Sequence, residues 1–256
     1  MSAQHPVRQR TGLGQLARTM QSDEDLRHLS RVELVDMQHQ LKLVIFDCDG
    51  VLVDSESIAN EVGAEWITAL GWSMDAAEAR ARFLGLSDAA MFALIEQKIG
   101  RAITAKEIAQ NHERITARFE TELKAIPGVV AVVEDLAARS IPLAVASSGE
   151  RAKILTNLAK VGLLNYFGDQ ISSATEVAEA KPAPDVYLLA ARKAGFVPSE
   201  CLAIEDSPNG VLAAVRAGMQ VIGFARETPA SDLTTAGAHQ VFETMAEVHA
   251  HLEQLL

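Results

Sequence analysis

From Leu41 the chain reads LKLVIFD, an unbroken apolar and β-branched stretch that stops on the acidic, glycine-bearing turn DCDG. A short run that is apolar at every position offers no polar face to water, so it is expected as a strand buried on both sides at the centre of a sheet. Such a strand needs helices above and below it, and from Pro127 the sequence alternates helices with short apolar strands. A helix over about 129–140 precedes the strand PLAVAS, and a helix from Arg151 precedes QISS. The helices DVYLLAARKAG and NGVLAAVRAG then precede and follow the strand CLAIED, with QVIGFA after them. This alternation implies a parallel sheet covered on both faces. Residues 57–124 contain no convincing strand: apolar residues recur there at helical spacing with breaks at Gly71, Gly85 and Gly100, giving a block of about four helices. The expected fold class is α/β, a doubly wound core whose first strand is separated from the rest by a helical insertion.

The composition agrees with a globular chain and narrows its partners. Of 256 residues, 48% are hydrophobic and 22% charged, enough for one large domain or a core domain with a smaller inserted one. A formal charge of −11 argues against nucleic acid as a partner, since phosphate-backbone binding needs a basic face. No membrane association is expected either, because the most apolar region, 129–146, is interrupted by Glu134, Asp135 and Arg139 and falls short of the roughly 18-residue apolar run of a span. Two cysteines, Cys48 and Cys201, are too few for a disulfide framework, and a reducing, cytoplasmic setting is expected. The first 22 residues carry Arg8, Arg10 and Arg18 and no acid, faintly like a transit peptide but without the apolar segment of a secretory signal. Leu26, Leu29, Val32, Leu34 and Val35 then suggest a short helix. Residues 1–40 are expected as an N-terminal extension, partly disordered or helical. The chain is expected to act as a monomer or homodimer.

In open parallel sheets, ligands gather at the carboxyl ends of the strands. There the sequence places Asp47 and Asp49 after the first strand, Ser147 and Ser148 after PLAVA, and Glu205 and Asp206 after CLAI, with Lys181 in a proline-rich loop between strands. Four carboxylates at one edge repel one another unless a cation joins them. An oxygen-only donor set suits Mg²⁺, whereas zinc calls for His or Cys, and none of the seven histidines lies in these motifs. Aspartates two apart on an extended backbone point the same way, with Cys48 opposite. Asp47 is then placed as a nucleophile toward phosphorus and Asp49 as the acid that protonates the leaving oxygen and the base that activates water. Lys181 balances the charge, and the Ser147 hydroxyl holds a phosphoryl oxygen.

Each feature alone has an ordinary explanation. D-x-D-G also occurs in calcium loops and plain turns, although an EF-hand fails here because Val51, Leu52 and Ile58 occupy the ligand, glycine and glutamate positions. Lys181 alone reads as a solvated lysine, the EDSP segment and the serines as helix caps, and Cys48 as a core thiol. Their conjunction at strand ends is what favours chemistry.

FDCDGVLVDSE, ASSGE, KPAPD and IEDSPNGVLAAVRAGM, in that order, resemble the four motifs of the haloacid dehalogenase superfamily, most closely its β-phosphoglucomutase-like and 6-phosphogluconate-phosphatase-like subgroup. The match covers roughly 41–225. The resemblance implies a Rossmann-like core over 41–56 and 126–256, an inserted α-helical cap over 57–125, Mg²⁺ as cofactor and phosphoryl transfer through an aspartyl-phosphate on a small phosphorylated metabolite. It implies Asp47 as nucleophile and metal ligand, Asp49 as acid/base with its backbone carbonyl on the metal, and Asp206 as a ligand. It further implies Glu205 as a ligand or a group behind the ligands, and Lys181 as the residue that orients nucleophile and phosphate. Ser147 and Ser148 bind phosphate, and Arg151 is placed there too, with a plain surface role as its alternative. Asp49 favours phosphoester chemistry over dehalogenation. Departures concern the substrate: Ala59 stands where mutases carry a histidine, and the RFLGLSD loop has Leu84 and Asp88 where they carry a basic pair. Both favour hydrolysis over isomerisation. No lysine lies between Lys42 and Lys98, against a Schiff-base phosphonatase. Arg80, Arg82 and Phe83 are cap candidates for substrate contact, and hinges are expected near Ser55-Glu56 and Ile126-Pro127-Gly128. A mutase and a non-catalytic binding protein on the same fold are the competing readings.

Overall fold

In a computed structural model the chain is described over residues 41–83, 86 and 88–255. The expected extension over 1–40 and the loop residue Leu84 lie outside the described residues. Strand β1 (Leu43–Phe46) leads through the DCDG turn into four helices, α1 (Ser55–Ala69), α2 (Ala76–Phe83), α3 (Asp88–Ile99) and α4 (Ala105–Glu122). There follow α5 (Val129–Ala138), β2 (Leu143–Ser147), α6 (Arg151–Lys160), the single turn α7 (Leu164–Phe167) and β3 (Ile171–Ser173). The chain continues with α8 (Asp185–Ala194), β4 (Cys201–Glu205), α9 (Pro208–Arg216) and β5 (Gln220–Phe224). It closes with α10 (Ala230–Thr235), β6 (Gln240–Phe242) and α11 (Met245–Leu255).

The strands form one parallel sheet in the order β3-β2-β1-β4-β5-β6. The apolar run is thus flanked on both sides, as its composition required. Its alternation divides the core. Val44 and Phe46 join Leu143, Val145, Leu202 and Ile204 beneath α5, α6 and α11, with Phe46 edge-on to Phe167 at 6.0 Å. Leu43 and Ile45 join Ala144, Ala146, Cys201 and Ala203 beneath α8, α9 and α10. Small residues on the second face let α8 and α9 approach the sheet closely, which matters for the site below. The sequence reading had no signal for β6, α7 or α10: a three-residue edge strand and helices of one or two turns are too short to establish a period.

The helices between β1 and β2 bury an apolar cluster of their own around Trp66, Ile67, Met74, Ile95 and Ile103. Their two connections to the sheet run side by side. Val53 bridges Ala125, the Asp54 amide donates to the Lys124 carbonyl at 2.9 Å, and the Ile126 amide donates to the Leu52 carbonyl at 3.1 Å. The outgoing and returning chains therefore brace each other at the expected hinge positions. Among the described residues, no helix is long and apolar enough to cross a membrane.

Candidate active site

Parallel pairing fixes which residues share the strand edge. Because Phe46 pairs with Ile204 and Val145, the next residue, Asp47, lies beside Glu205 on one neighbour and Ala146 on the other. Asp47 and Glu205 follow Ile45 and Ala203 in parity, so both side chains point to the face covered by α8. Lys181 closes the gap between them. Its ammonium donates to Asp47 Oδ1 at 2.5 Å, Glu205 Oε1 at 2.6 Å and the Ala146 carbonyl at 3.0 Å, and lies 5.0 Å from the centre of the Tyr187 ring. The lysine side chain is only 5% exposed. Burial alone would lower its pKa, but the two carboxylates reverse that and hold the ammonium above its usual value.

Glu205 is fully buried and uses both oxygens inside the protein: Oε1 accepts from Lys181 and from the Tyr187 hydroxyl at 2.8 Å, and Oε2 accepts from the Ser207 amide and hydroxyl at 3.1 Å. It does not line the cavity. Of the two placements expected for Glu205, a ligand or a group behind the ligands, its geometry agrees with the second: strand parity turns it toward α8, where it anchors the lysine. Its carboxylate also occupies the start of α9, where a Cβ on Gly210 would fall 1.8 Å from Oε1. Only glycine fits that position.

Asp206, one residue further along, takes the opposite direction and faces the DCDG turn. A Cβ on Gly50, whose φ is +82°, would lie 1.9 Å from Asp206 Oδ2, so the bare glycine backbone lets this carboxylate reach the Asp47–Asp49 turn. Burial, then Glu205 and Asp47, push the Asp206 carboxyl well above the usual range. Burial likewise pushes Asp47 up, against Lys181. Three carboxylates thus face one buried ammonium, an excess of negative charge that an oxygen-liganded divalent cation would relieve. Cys48 points the other way into the core, where burial raises its thiol further, and it has no chemical part.

Asp49 sits at the threshold of the helical insertion. Its Oδ1 accepts from the Ser55 hydroxyl, the first residue of α1, at 2.6 Å, and Lys153 Nζ lies 3.7 Å away. Sequence reasoning missed Ser55, Lys153 and Tyr187; Ser55 stood in the DSE segment beside the motif, whereas nothing in the sequence marked the other two. Ser147 ends β2 and is buried, with Oγ accepting from the Gly149 amide at 3.0 Å, and Ser148 is exposed beside it. Both line the cavity. Arg151 does not. As the first residue of α6 its guanidinium turns to β3, donating to the Ile171 carbonyl and pairing with Glu176 at 3.4 Å, so it is not brought together with Ser147 and Ser148 on the cavity lining.

Above this edge opens a cavity of about 850 Å³, with Asp47, Asp49, Lys181 and Asp206 on its floor and the helical insertion for its walls. Arg80 and Phe83 line it, as do Ala59 and Asp88 at the positions where the mutases differ. Arg82 turns away, pairing with Glu78 at 2.8 Å and lying 5.4 Å over the Trp72 ring. Arg80 pairs instead with Glu227, in the segment after β5.

Residues 44–224, spanning Asp47, Asp49, Ser147, Lys181 and Asp206, match the pattern of haloacid dehalogenase-like hydrolases. The chain belongs to this family. Among these hydrolases, the 6-phosphogluconate phosphatase of Escherichia coli (strain K12) is 30% identical over 186 residues, covering 72% of this chain and 83% of the relative. Hexitol phosphatase A of the same organism is 32% identical over 193 residues, 70% and 80% of the two chains. A crystal structure of a haloacid dehalogenase-family hydrolase from Deinococcus radiodurans R1, with bound phosphate and sodium, superposes with a TM-score of 0.77 at 30% identity, covering 84% of this chain and 96% of that one.

Proposed function

We propose that this chain is a Mg²⁺-dependent phosphatase of small phosphorylated metabolites, of the sugar-phosphate or phosphogluconate type, working through an aspartyl-phosphate in a reducing, cytoplasmic compartment. The observation that carries the reading is the Asp47–Lys181–Glu205 chain at the floor of the cavity, with Asp206 against the DCDG turn and Asp49 held from the hinge. The carboxylates of Asp47 and Asp206 and the backbone carbonyl of Asp49 are the groups that would hold Mg²⁺, which supplies positive charge to the phosphoryl oxygens.

Lys181 supplies a fixed positive charge beside the nucleophile, cancelling the repulsion between the Asp47 carboxylate and an incoming dianion. Ser147 and Ser148 offer hydroxyls to the same phosphoryl group. An Asp47 oxygen bonds to phosphorus as the ester P–O bond breaks, and Asp49 gives its proton to the departing alkoxide. Asp49, then ionised, takes a proton from water, which attacks the phosphorus, releases inorganic phosphate and restores the Asp47 carboxylate. Residues 57–125 serve as the cap that excludes bulk water from the intermediate, moving on the paired 52–54 and 124–126 connections. The two free, buried cysteines suit a reducing compartment.

Phosphate release from sugar phosphates, phosphogluconate and phosphoglycolate, with Mg²⁺ and with chelator, tests the reading beside Asp47→Asn. Chelator-sensitive release that disappears in the variant is expected. Release that survives Asp47→Asn would refute the covalent route, and transfer of the phosphoryl group to a second hydroxyl of the sugar would favour the mutase.

A further inference from the structure

The long helix α4 is amphipathic, yet its one buried residue is an asparagine. Asn111 is 8% exposed, its Oδ1 has no hydrogen-bond partner, and it lines the cavity. An unpartnered buried amide is costly, and a core position facing α1 would be filled at less cost by leucine. Asn60 of α1 and His112 line the same wall, adding a second amide and an imidazole, while Trp66 and Phe83 supply apolar surface. The charges around them are mostly negative. Lys181 and Arg80 are the only lysine and arginine among the described lining residues: Lys181 is committed to the nucleophile, and Arg80 is paired with Glu227. Glu227 is itself held from behind by Arg226 at 3.8 Å, which also grips Asp54 at 2.9 Å. Glu56, Asp88 and Asp232 add further carboxylates to the wall.

We propose that this wall selects a neutral, polyhydroxylated leaving group, with the Asn111 amide bonding a substrate hydroxyl and the Arg80–Glu227 pair denying a counter-charge to any second anionic group. The inference rests on the phosphatase reading and deepens it. A sugar-alcohol phosphate satisfies the orphaned amide and brings no charge beyond its phosphate. A substrate with a distal carboxylate or second phosphate must desolvate that anion among carboxylates with no unpaired arginine or lysine to receive it, which costs affinity.

The test uses the full chain with Mg²⁺ and three probes: sorbitol 6-phosphate, its carboxylate counterpart 6-phosphogluconate, and hydroxyl-free phenyl phosphate. The wild type is expected to favour sorbitol 6-phosphate over 6-phosphogluconate by about tenfold or more in kcat/KM, the scale of one unmet polar contact. Asn111→Leu is expected to cut the ratio of sorbitol 6-phosphate to phenyl phosphate by about tenfold, the loss of one hydrogen bond. Glu227→Gln, which frees Arg80, is expected to narrow the gap to 6-phosphogluconate. Equal or better use of 6-phosphogluconate by the wild type overturns the proposal, as does an Asn111→Leu loss shared equally by phenyl phosphate, or an unchanged gap in Glu227→Gln. Calorimetric binding of the same probes to Asp47→Asn separates the two readings. Selective binding of sorbitol 6-phosphate with no turnover of any probe by the wild type sinks the phosphatase and leaves the selectivity standing, whereas turnover of phenyl phosphate without that selectivity does the reverse.

Discussion

Glu205→Gln separates the two roles open to a buried carboxylate beside Asp206. In the wild type, Oε1 accepts from Lys181 at 2.6 Å and Tyr187 at 2.8 Å, and Oε2 accepts from the Ser207 amide and hydroxyl, both at 3.1 Å. A glutamine keeps the oxygen toward lysine and tyrosine, but its NH₂ then faces the Ser207 amide, leaving two donors opposed. The variant weakens one charge-assisted hydrogen bond and orphans one buried backbone donor, each worth about 1–3 kcal/mol, for a combined loss of about 3 kcal/mol. For a domain of this size that lowers Tm by about 6–12 °C. Lys181, left with Asp47 as its sole charged partner, is pulled onto the nucleophile, so kcat falls by about tenfold or more. Because Glu205 does not line the cavity, the Mg²⁺ concentration for half activation should move far less than in Asp206→Asn. Thermal melts and Mg²⁺ titrations of activity on both variants decide the matter. A Mg²⁺ midpoint displaced as far as in Asp206→Asn, with Tm unchanged, would show that Glu205 is a ligand and that the argument from strand parity is wrong.

Two glycines predict opposite outcomes in the same melts. Gly210→Ala drives a methyl into the Glu205 carboxylate and is expected to lose more than about 3 kcal/mol along with activity, while Gly63→Ala, in the interior of α1 with open space at its Cβ, is expected to gain about 0.5–1 kcal/mol. Ser55→Ala removes the 2.6 Å bond to Asp49 and is expected to lower kcat by about tenfold with little change in Tm, measured by steady-state kinetics. Chelated protein should lose stability as pH rises: Asp47, pushed up to about 8 by burial, holds its proton more tightly folded than unfolded, so its contribution is whole below about pH 4 and is lost on the way to pH 8. Mg²⁺ should therefore raise Tm more at pH 8 than at pH 5, and an equal rise at both would remove the charge-excess argument.

Legibility in the sequence followed the length of the pattern. The central strand was visible because LVIF is apolar on both parities, and the neighbouring strands because each ends a helix-length stretch of different period. The placement of Asp47, Asp49, Ser147 and Asp206 at one edge follows from parallel topology alone, since carboxyl ends of parallel strands share a side. What stayed hidden depends on side-chain direction across elements. Glu205 and Asp206 are adjacent acids in the sequence, and only the pairing of Ile204 with Phe46 reveals that one faces α8 while the other meets the DCDG turn. Arg151 opened a helix beside the phosphate serines, but its long side chain found a strand-end carbonyl on β3 instead. Asn111 looked like any polar residue of a solvated helix face, because nothing local records that α4 packs along α1.

The four carboxylates at the strand edge differ in role because they differ in neighbours rather than in type. Asp47 and Glu205 share one buried ammonium, which leaves each with part of its charge compensated, yet only Asp47 keeps an oxygen toward the cavity. Asp206 has no such ammonium contact, and burial, Glu205 and Asp47 push its carboxyl well above the usual range beside the turn where Gly50 leaves room for it. Asp49 is tied by Ser55 to the first turn of α1, so the group proposed to exchange a proton is the one fixed to the helical insertion. If the paired 52–54 and 124–126 connections flex as proposed, Ser55 would move with α1 and carry Asp49 with it, while Asp47 stays tied to Lys181. On the proposed mechanism, proton transfer and cavity closure would be coupled through the 2.6 Å bond between Ser55 and Asp49.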